Sequence, residues 1–349
     1  MPTQSTRRLS LIFVLIIGWI TVFIYFIIAR FDPFIGDVQA YWGYSQALGE
    51  FNVFHLPAYS AVIGVLHFIL PSAHPLLTMR AINMGSWVVA SFTLYNILRQ
   101  QKLPLVWMGT ILFAIFPFYG VVSVVHPLAD TPAAACVMVG LWAYFRNEKW
   151  LLVLAFGVGL LTHKLIWPFI ALALLIGVLQ KRISLWNVVL VCTPLSLYIV
   201  LGTGFHHDVL WLFRDSGVSA TGYTRVLPIL DAVFGPLFTG KVTDILQFLI
   251  VFPIFTLACV LLFNQSWKTE PILLALIIPI ILIGVFFTEA YSQVPLRLGR
   301  MLIIPLVYSM SRHKVFTKLD LPPIKWGIII VLITSQIAFA FYMTEFFFK

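Results

Sequence analysis

Leu9–Ala29 reads LSLIFVLIIGWITVFIYFIIA, and after Arg30 the chain continues FDPFIGDVQAY over Phe31–Tyr41. The first run carries no charge across 21 residues, enough helix to cross the roughly 30 Å hydrocarbon core of a bilayer. It is too long for a signal-peptide core and has no small-residue cleavage site, so it reads as a retained first helix. The second stretch, polar at Asp32 and Asp37, is then the first loop beyond the membrane.

The rest of the chain repeats this alternation. Of its 349 residues 61% are hydrophobic and only 10% charged, with a mean hydropathy of +0.99. That composition excludes a soluble domain and points to one all-α, polytopic membrane domain over residues 1–349. Apolar runs place spans near 9–29, 76–98, 103–122, 131–145, 150–163, 165–180, 185–202, 242–263, 271–288, 299–311 and 326–345. Eleven transmembrane helices put the N-terminus in the cytoplasm.

Charge supplies the sidedness. Arg7/Arg8, Arg99/Lys102, Arg146/Lys149, Lys181/Arg182, Lys268 and Arg312/Lys314/Lys318/Lys325 all fall on one side. That side holds 13 basic and 3 acidic residues, against 9 and 10 on the other. The positive-inside rule makes the basic side cytoplasmic. The net charge of +9 is thereby explained without a nucleic-acid partner. Cys136, Cys192 and Cys259 lie in apolar runs and have neither metal nor disulfide spacing.

Pro57–Leu70 is apolar but only 14 residues long. As a span it would throw Arg99 and Lys102 outside, so it reads as a helix lying in the outer interface, begun by Pro57. Residues 35–48 carry apolar or aromatic side chains at near-helical spacing, including Tyr41, Trp42 and Tyr44, and read as a second interfacial helix. A long outer loop, 203–241, and a short one, 288–298, complete the outer face. The cytoplasmic connections 99–102, 146–149 and 181–184 are tight.

Chemistry must come from the few polar residues outside. Asp37 begins an interfacial helix and reads either as a dipole-stabilised carboxylate or as a general base. Asp130, followed by Thr131-Pro132, reads as a helix N-cap or as a second active-site acid. Lys164, after His163, lies at the outer mouth against the charge bias, where it snorkels to lipid or holds an anion. Arg297 and Arg300 can form a fork for phosphate or pair with a loop acid such as Glu289; Arg80 is a further outer cation. Tyr41, Trp42 and Tyr59 offer stacking surfaces, and His163, His206 and His207 further polar lining. His206-His207-Asp208 lacks a third spaced metal ligand. No cofactor is called for, and a divalent metal is left open.

Asp37-Val38-Gln39-Ala40-Tyr41, with Ala47 and Leu48 beyond, resembles the first-loop motif of the GT-C glycosyltransferases. The resemblance continues through Leu56-Pro57-Ala58-Tyr59, Arg80, Tyr95–Arg99 and Asp130, and covers roughly residues 1–180. Each motif is short; their order carries the likeness. It divides the chain into a GT-C-like core (1–202), an outer loop (203–241) and C-terminal helices (242–349). Two departures stand out. Many members have adjacent acids where Asp37 is followed by Val38, and many carry a soluble C-terminal domain, whereas here Lys349 follows the last span. Peptide acceptors are therefore not expected.

The resemblance implies an inverting transferase. It would move a sugar from a polyprenyl-phosphate donor to a glycolipid or glycan acceptor, with Asp37 as base and Lys164, Arg297, Arg300 and Arg80 on the phosphate. Membrane lipids are the remaining partner. Outer loops free of glycosylation sequons, and the small size, point to a bacterial inner membrane with the site facing the periplasm. A polymerase acting on pyrophosphate-linked oligosaccharides, drawing on Arg214 and Arg225, is the nearest alternative. A lipid or sugar transporter is the other, disfavoured because charges sit at helix ends rather than at the midplane.

Overall fold

The computed structural model describes residues 37–52, 55–103, 105–114, 127–214, 242–286 and 298–312, with Ile324, Gly327, Ile330, Val331 and Thr334. Every element among them is helical. The expected span 9–29, and all but a few positions of 326–345, lie outside the described residues.

Helix α1 is Asp37–Ser45, and α2 is Pro57–Ile69. α3 runs Pro75–Gln100 and α4 Val106–Ala114. α5 is Asp130–Arg146, α6 Lys149–Leu160 and α7 Trp167–Leu179. α8 is Leu185–His206, α9 Val242–Phe263, α10 Leu274–Phe286 and α11 Ile303–Met310. The helices thus occupy the stretches that the apolar runs mark out, and α1 and α2 the two helices expected in the first outer loop.

Local chemistry sets the ends. Pro57 opens α2 after an extended Leu56, where a missing N–H costs nothing. The His74 ring accepts the Leu76 N–H at 3.3 Å before Pro75 starts α3. Asn147, at φ 59°, stops α5 in the left-handed region, which asparagine tolerates. A reciprocal capping box between Ser184 and Asn187 starts α8, satisfying two otherwise orphaned N–H groups.

Successive helices run in alternating directions, as side-chain links at both ends show. At one end Gln100 donates to the Phe145 carbonyl at 3.1 Å. Tyr144 donates to Gln180, Arg182 pairs with Glu270 at 3.6 Å, and Asn264 bonds Ser309. This end gathers the C-termini of α3, α5, α7, α9 and α11. It carries Arg99, Lys102, Arg146, Lys149, Lys181, Arg182, Lys268 and Arg312, those members of the basic clusters that lie among the described residues. Burial raises the Glu270 carboxyl above its ordinary value, with Arg182 opposing.

The core lies between α3, α5, α6, α7, α10 and α11. α5 and α6 approach so closely that a Cβ at Gly140 would overlap the Phe156 ring. Trp87 is enclosed and donates its indole N–H to the Ala114 carbonyl at 2.9 Å. The outer faces are apolar too: Val62, Val65 and Phe68 on α2, Val89 and Phe92 on α3, and Leu197, Val200 and Leu201 on α8 are all exposed. Helices apolar all round belong to a large core or a membrane. Among the described residues α8 is the one helix long and apolar enough to cross a membrane.

Candidate functional site

The end opposite the basic clusters brings together most of the residues singled out above. Asp37 is the first residue of α1 and exposed. One turn later Tyr41 is buried, its ring 4.2 Å from His55 and 5.0 Å edge-on to Tyr59. The Tyr59 hydroxyl donates to Asn83 Oδ1 at 2.9 Å and to the Pro127 carbonyl at 3.1 Å. Asn83, fully buried on α3, donates in turn to the Leu128 carbonyl at 2.8 Å. These bonds tie α1 and α2 to the bundle just where the chain enters α5. Burial, with Tyr41 and Asp130 adding to it, raises the Tyr59 phenol well above its ordinary value, so the hydroxyl stays a donor.

Asp130 occupies the first turn of α5 but does not cap it. Ala129 is the N-cap residue and makes no side-chain cap bond. The N-cap reading of Asp130 is therefore corrected: helical geometry begins at residue 130 itself, and the cap position falls to Ala129. Its carboxylate is 1% exposed and lies 3.8 Å from His163 Nε2. Arg300 Nη2 donates to the Asp130 backbone carbonyl at 3.3 Å. Arg300 is likewise 1% exposed, its guanidinium 5.6 Å over the Phe113 ring. It backs the site from within instead of forming a solvent-facing fork. Arg297, its expected partner, lies outside the described residues.

His163 precedes the short turn Lys164–Ile166, and its Nδ1 accepts the Leu165 N–H at 3.1 Å. With Nδ1 an acceptor, the proton of the neutral ring sits on Nε2, towards Asp130. Lys164 is half-buried and donates to the Leu212 carbonyl at 3.0 Å, reaching the segment after α8. Burial pushes its ammonium down to about 8. Burial also lowers His55, which feels Asp37 in opposition and Lys164 in support. His55 thus lies within electrostatic reach of both the exposed acid and the half-buried cation.

The other expected residues are placed around this cluster. Arg80 is half-buried one turn before Asn83 on α3. Trp42 packs edge-on to His67 at 4.7 Å, beside the apolar cluster of Val38, Tyr41 and Tyr59. His206 belongs to a neighbouring aromatic group. It stacks on Trp211 at 4.7 Å, and its Nε2 lies 2.7 Å from the Phe51 carbonyl. His207 ends α8 in the left-handed region and is exposed. Tyr198 joins that group to α1 and the segment after it through Tyr44 at 3.1 Å and the Asn52 carbonyl at 3.1 Å. Among the described residues no three His, Cys, Asp or Glu side chains converge on a point that would hold a metal ion.

His55 and Asn83 are the site residues that the sequence reading passed over. A lone amide in an apolar helix signals a buried partner, which Asn83 has in Tyr59. His55 stands just before Leu56-Pro57-Ala58-Tyr59, a stretch that contributes to the resemblance. Neither a family model, nor a curated protein, nor a solved structure matches the chain.

Proposed function

We propose that the chain is an inverting glycosyltransferase of about eleven spans, and that the Asp37–Lys164 end faces away from the cytoplasm. The observation that carries the reading is that an exposed carboxylate, Asp37, and a half-buried ammonium, Lys164, both lie within electrostatic reach of His55. Tyr41 and Tyr59 form the adjoining wall. The resemblance of the first loop to GT-C enzymes supplies the donor class, a polyprenyl-phosphate sugar. The gathering of basic residues at the far end of the bundle supports the orientation, and the apolar outer faces support a lipid surround.

In this reaction Asp37 takes the proton from the acceptor hydroxyl as that oxygen bonds to the anomeric carbon. The bond from the anomeric carbon to the phosphate oxygen breaks. Its electron pair stays on the carrier phosphate, where Lys164 stabilises the growing charge. A single displacement inverts the anomeric centre. The acceptor is a glycolipid or glycan, and the setting a bacterial inner membrane.

The test is transfer from a panel of radiolabelled polyprenyl-phosphate sugars by the purified protein in lipid, wild type beside Asp37→Asn. Loss of a general base costs roughly 10²–10⁴-fold in rate. Because Asp37 is exposed, folding should not change. Near wild-type transfer by Asp37→Asn would sink the base assignment, and no transfer from any donor would sink the class.

A further inference from the structure

Three contacts run from the back of the site to the turn that carries Lys164. Arg300 Nη2 holds the Asp130 backbone carbonyl, and the Asp130 carboxylate faces His163 Nε2. His163 Nδ1 caps the turn at Leu165, and Lys164 lies between the two. Arg300 and Asp130 are both fully enclosed and interact electrostatically. A buried guanidinium is costly without a nearby acidic group, which ties Asp130 to this place in the fold as a structural group. Enclosed in this way, it has no open path to an acceptor hydroxyl. The His163 ring cannot rotate without losing either the Leu165 N–H or Asp130. Rotation of the ring is the movement that would release the turn carrying Lys164.

We infer that Asp130 and His163 form a positioning pair that fixes the Lys164 turn, so that its ammonium stands ready for an anionic group at the mouth of the site. Asp130 is on this account a positioning residue, not a second base. The inference rests on the proposed role of Lys164 for its purpose, but not for its test.

Competitive acetylation read by mass spectrometry gives the pH midpoint for Lys164 reactivity in the full-length protein, with no donor present. Exposed Lys149, at the far end, reports any global unfolding. In wild type the midpoint should lie near 8. Asp130→Asn removes the charge that faces His163. His163→Asn keeps a side-chain oxygen to cap Leu165 but has nothing to reach Asp130. Both should raise the Lys164 midpoint towards the ordinary lysine value of 10.5, with Lys149 unchanged. The double variant should go no further than either single one. An unchanged midpoint in both variants overturns the pair, as would additive shifts. Binding of undecaprenyl phosphate against undecaprenol then addresses purpose. A preference for the phosphate that Lys164→Met abolishes supports it. No preference in wild type refutes the anion role while leaving the acetylation result standing.

Discussion

Breaking the bond between Tyr59 and Asn83 should unlock the first outer segment from the bundle. Tyr59→Phe keeps the ring and deletes one hydroxyl. Asn83 Oδ1 and the Pro127 carbonyl then lose a donor at 2.9 and 3.1 Å. Both residues are fully buried, so water cannot simply replace it. An interaction lost at such a place costs about 1–3 kcal/mol. Asn83→Ala takes away the acceptor and also the donor that the Leu128 carbonyl receives at 2.8 Å, while Tyr59 keeps Pro127. Its cost should match or exceed that of Tyr59→Phe. In the double variant the hydroxyl no longer has an amide to lose, so the two costs should not add. Interhelical side-chain bonds in membrane proteins couple by about 0.6 kcal/mol on average and about 1.7 at most. The upper half of that range applies to so enclosed a pair. The assay is equilibrium unfolding of the four proteins in mixed micelles, with coincident probes to establish two-state behaviour. Transfer kinetics would run alongside. A donor KM that rises with the same pattern would show that the Tyr41–Tyr59 wall depends on this bond. Single losses that add to within about 0.3 kcal/mol would refute the coupling, and with it the claim that this bond holds α2 against α3.

Two further outcomes follow from the same structure. With the Lys164 ammonium near 8 when folded and 10.5 when not, the unfolded chain binds more protons between these values. The buried charge therefore costs stability fully below about 8, and the cost fades as pH rises through this window. Phosphate binding moves the opposite way: donor KM should climb as pH passes 8 in wild type and stay flat in Lys164→Arg, which steady-state kinetics across pH would reveal. At the α5–α6 contact, Gly140→Val should destabilise by about 1–3 kcal/mol through overpacking against Phe156, measured by the same unfolding titration; a neutral effect would mean that the helices separate freely there.

The helices were legible because long apolar runs alternate with short charged clusters. The ends of α2, α3 and α8 could be read from Pro57, Pro75 and Ser184, since proline and cap chemistry act locally. The site was legible as a set of types. Asp37, Tyr41, Tyr59, Asp130, His163 and Lys164 each stood out as polar or aromatic groups where hydrocarbon was the rule. Their roles were not legible. Whether Asp130 caps its own helix depends on the backbone of Ala129, and whether Arg300 faces lipid or Phe113 depends on packing between elements nearly two hundred residues apart in sequence. Asn83 and His55 escaped because a single polar residue in an apolar stretch announces a partner without saying which one.

Under the proposed reaction, burial rather than residue type divides the labour between the two carboxylates. A base that works by collecting a proton has to meet the acceptor and release that proton to water afterwards. Asp37, exposed at the first turn of α1, meets both conditions. Asp130 meets neither. It is enclosed, it interacts electrostatically with the buried Arg300, and its carboxylate faces, at 3.8 Å, a histidine already committed to a backbone N–H. A change of charge on Asp130 would be felt by the enclosed Arg300, with which it interacts electrostatically. Under the proposed reaction, a cycle that places its proton on Asp37 leaves that interaction intact. The surface acid can thus change state without disturbing the turn that carries Lys164.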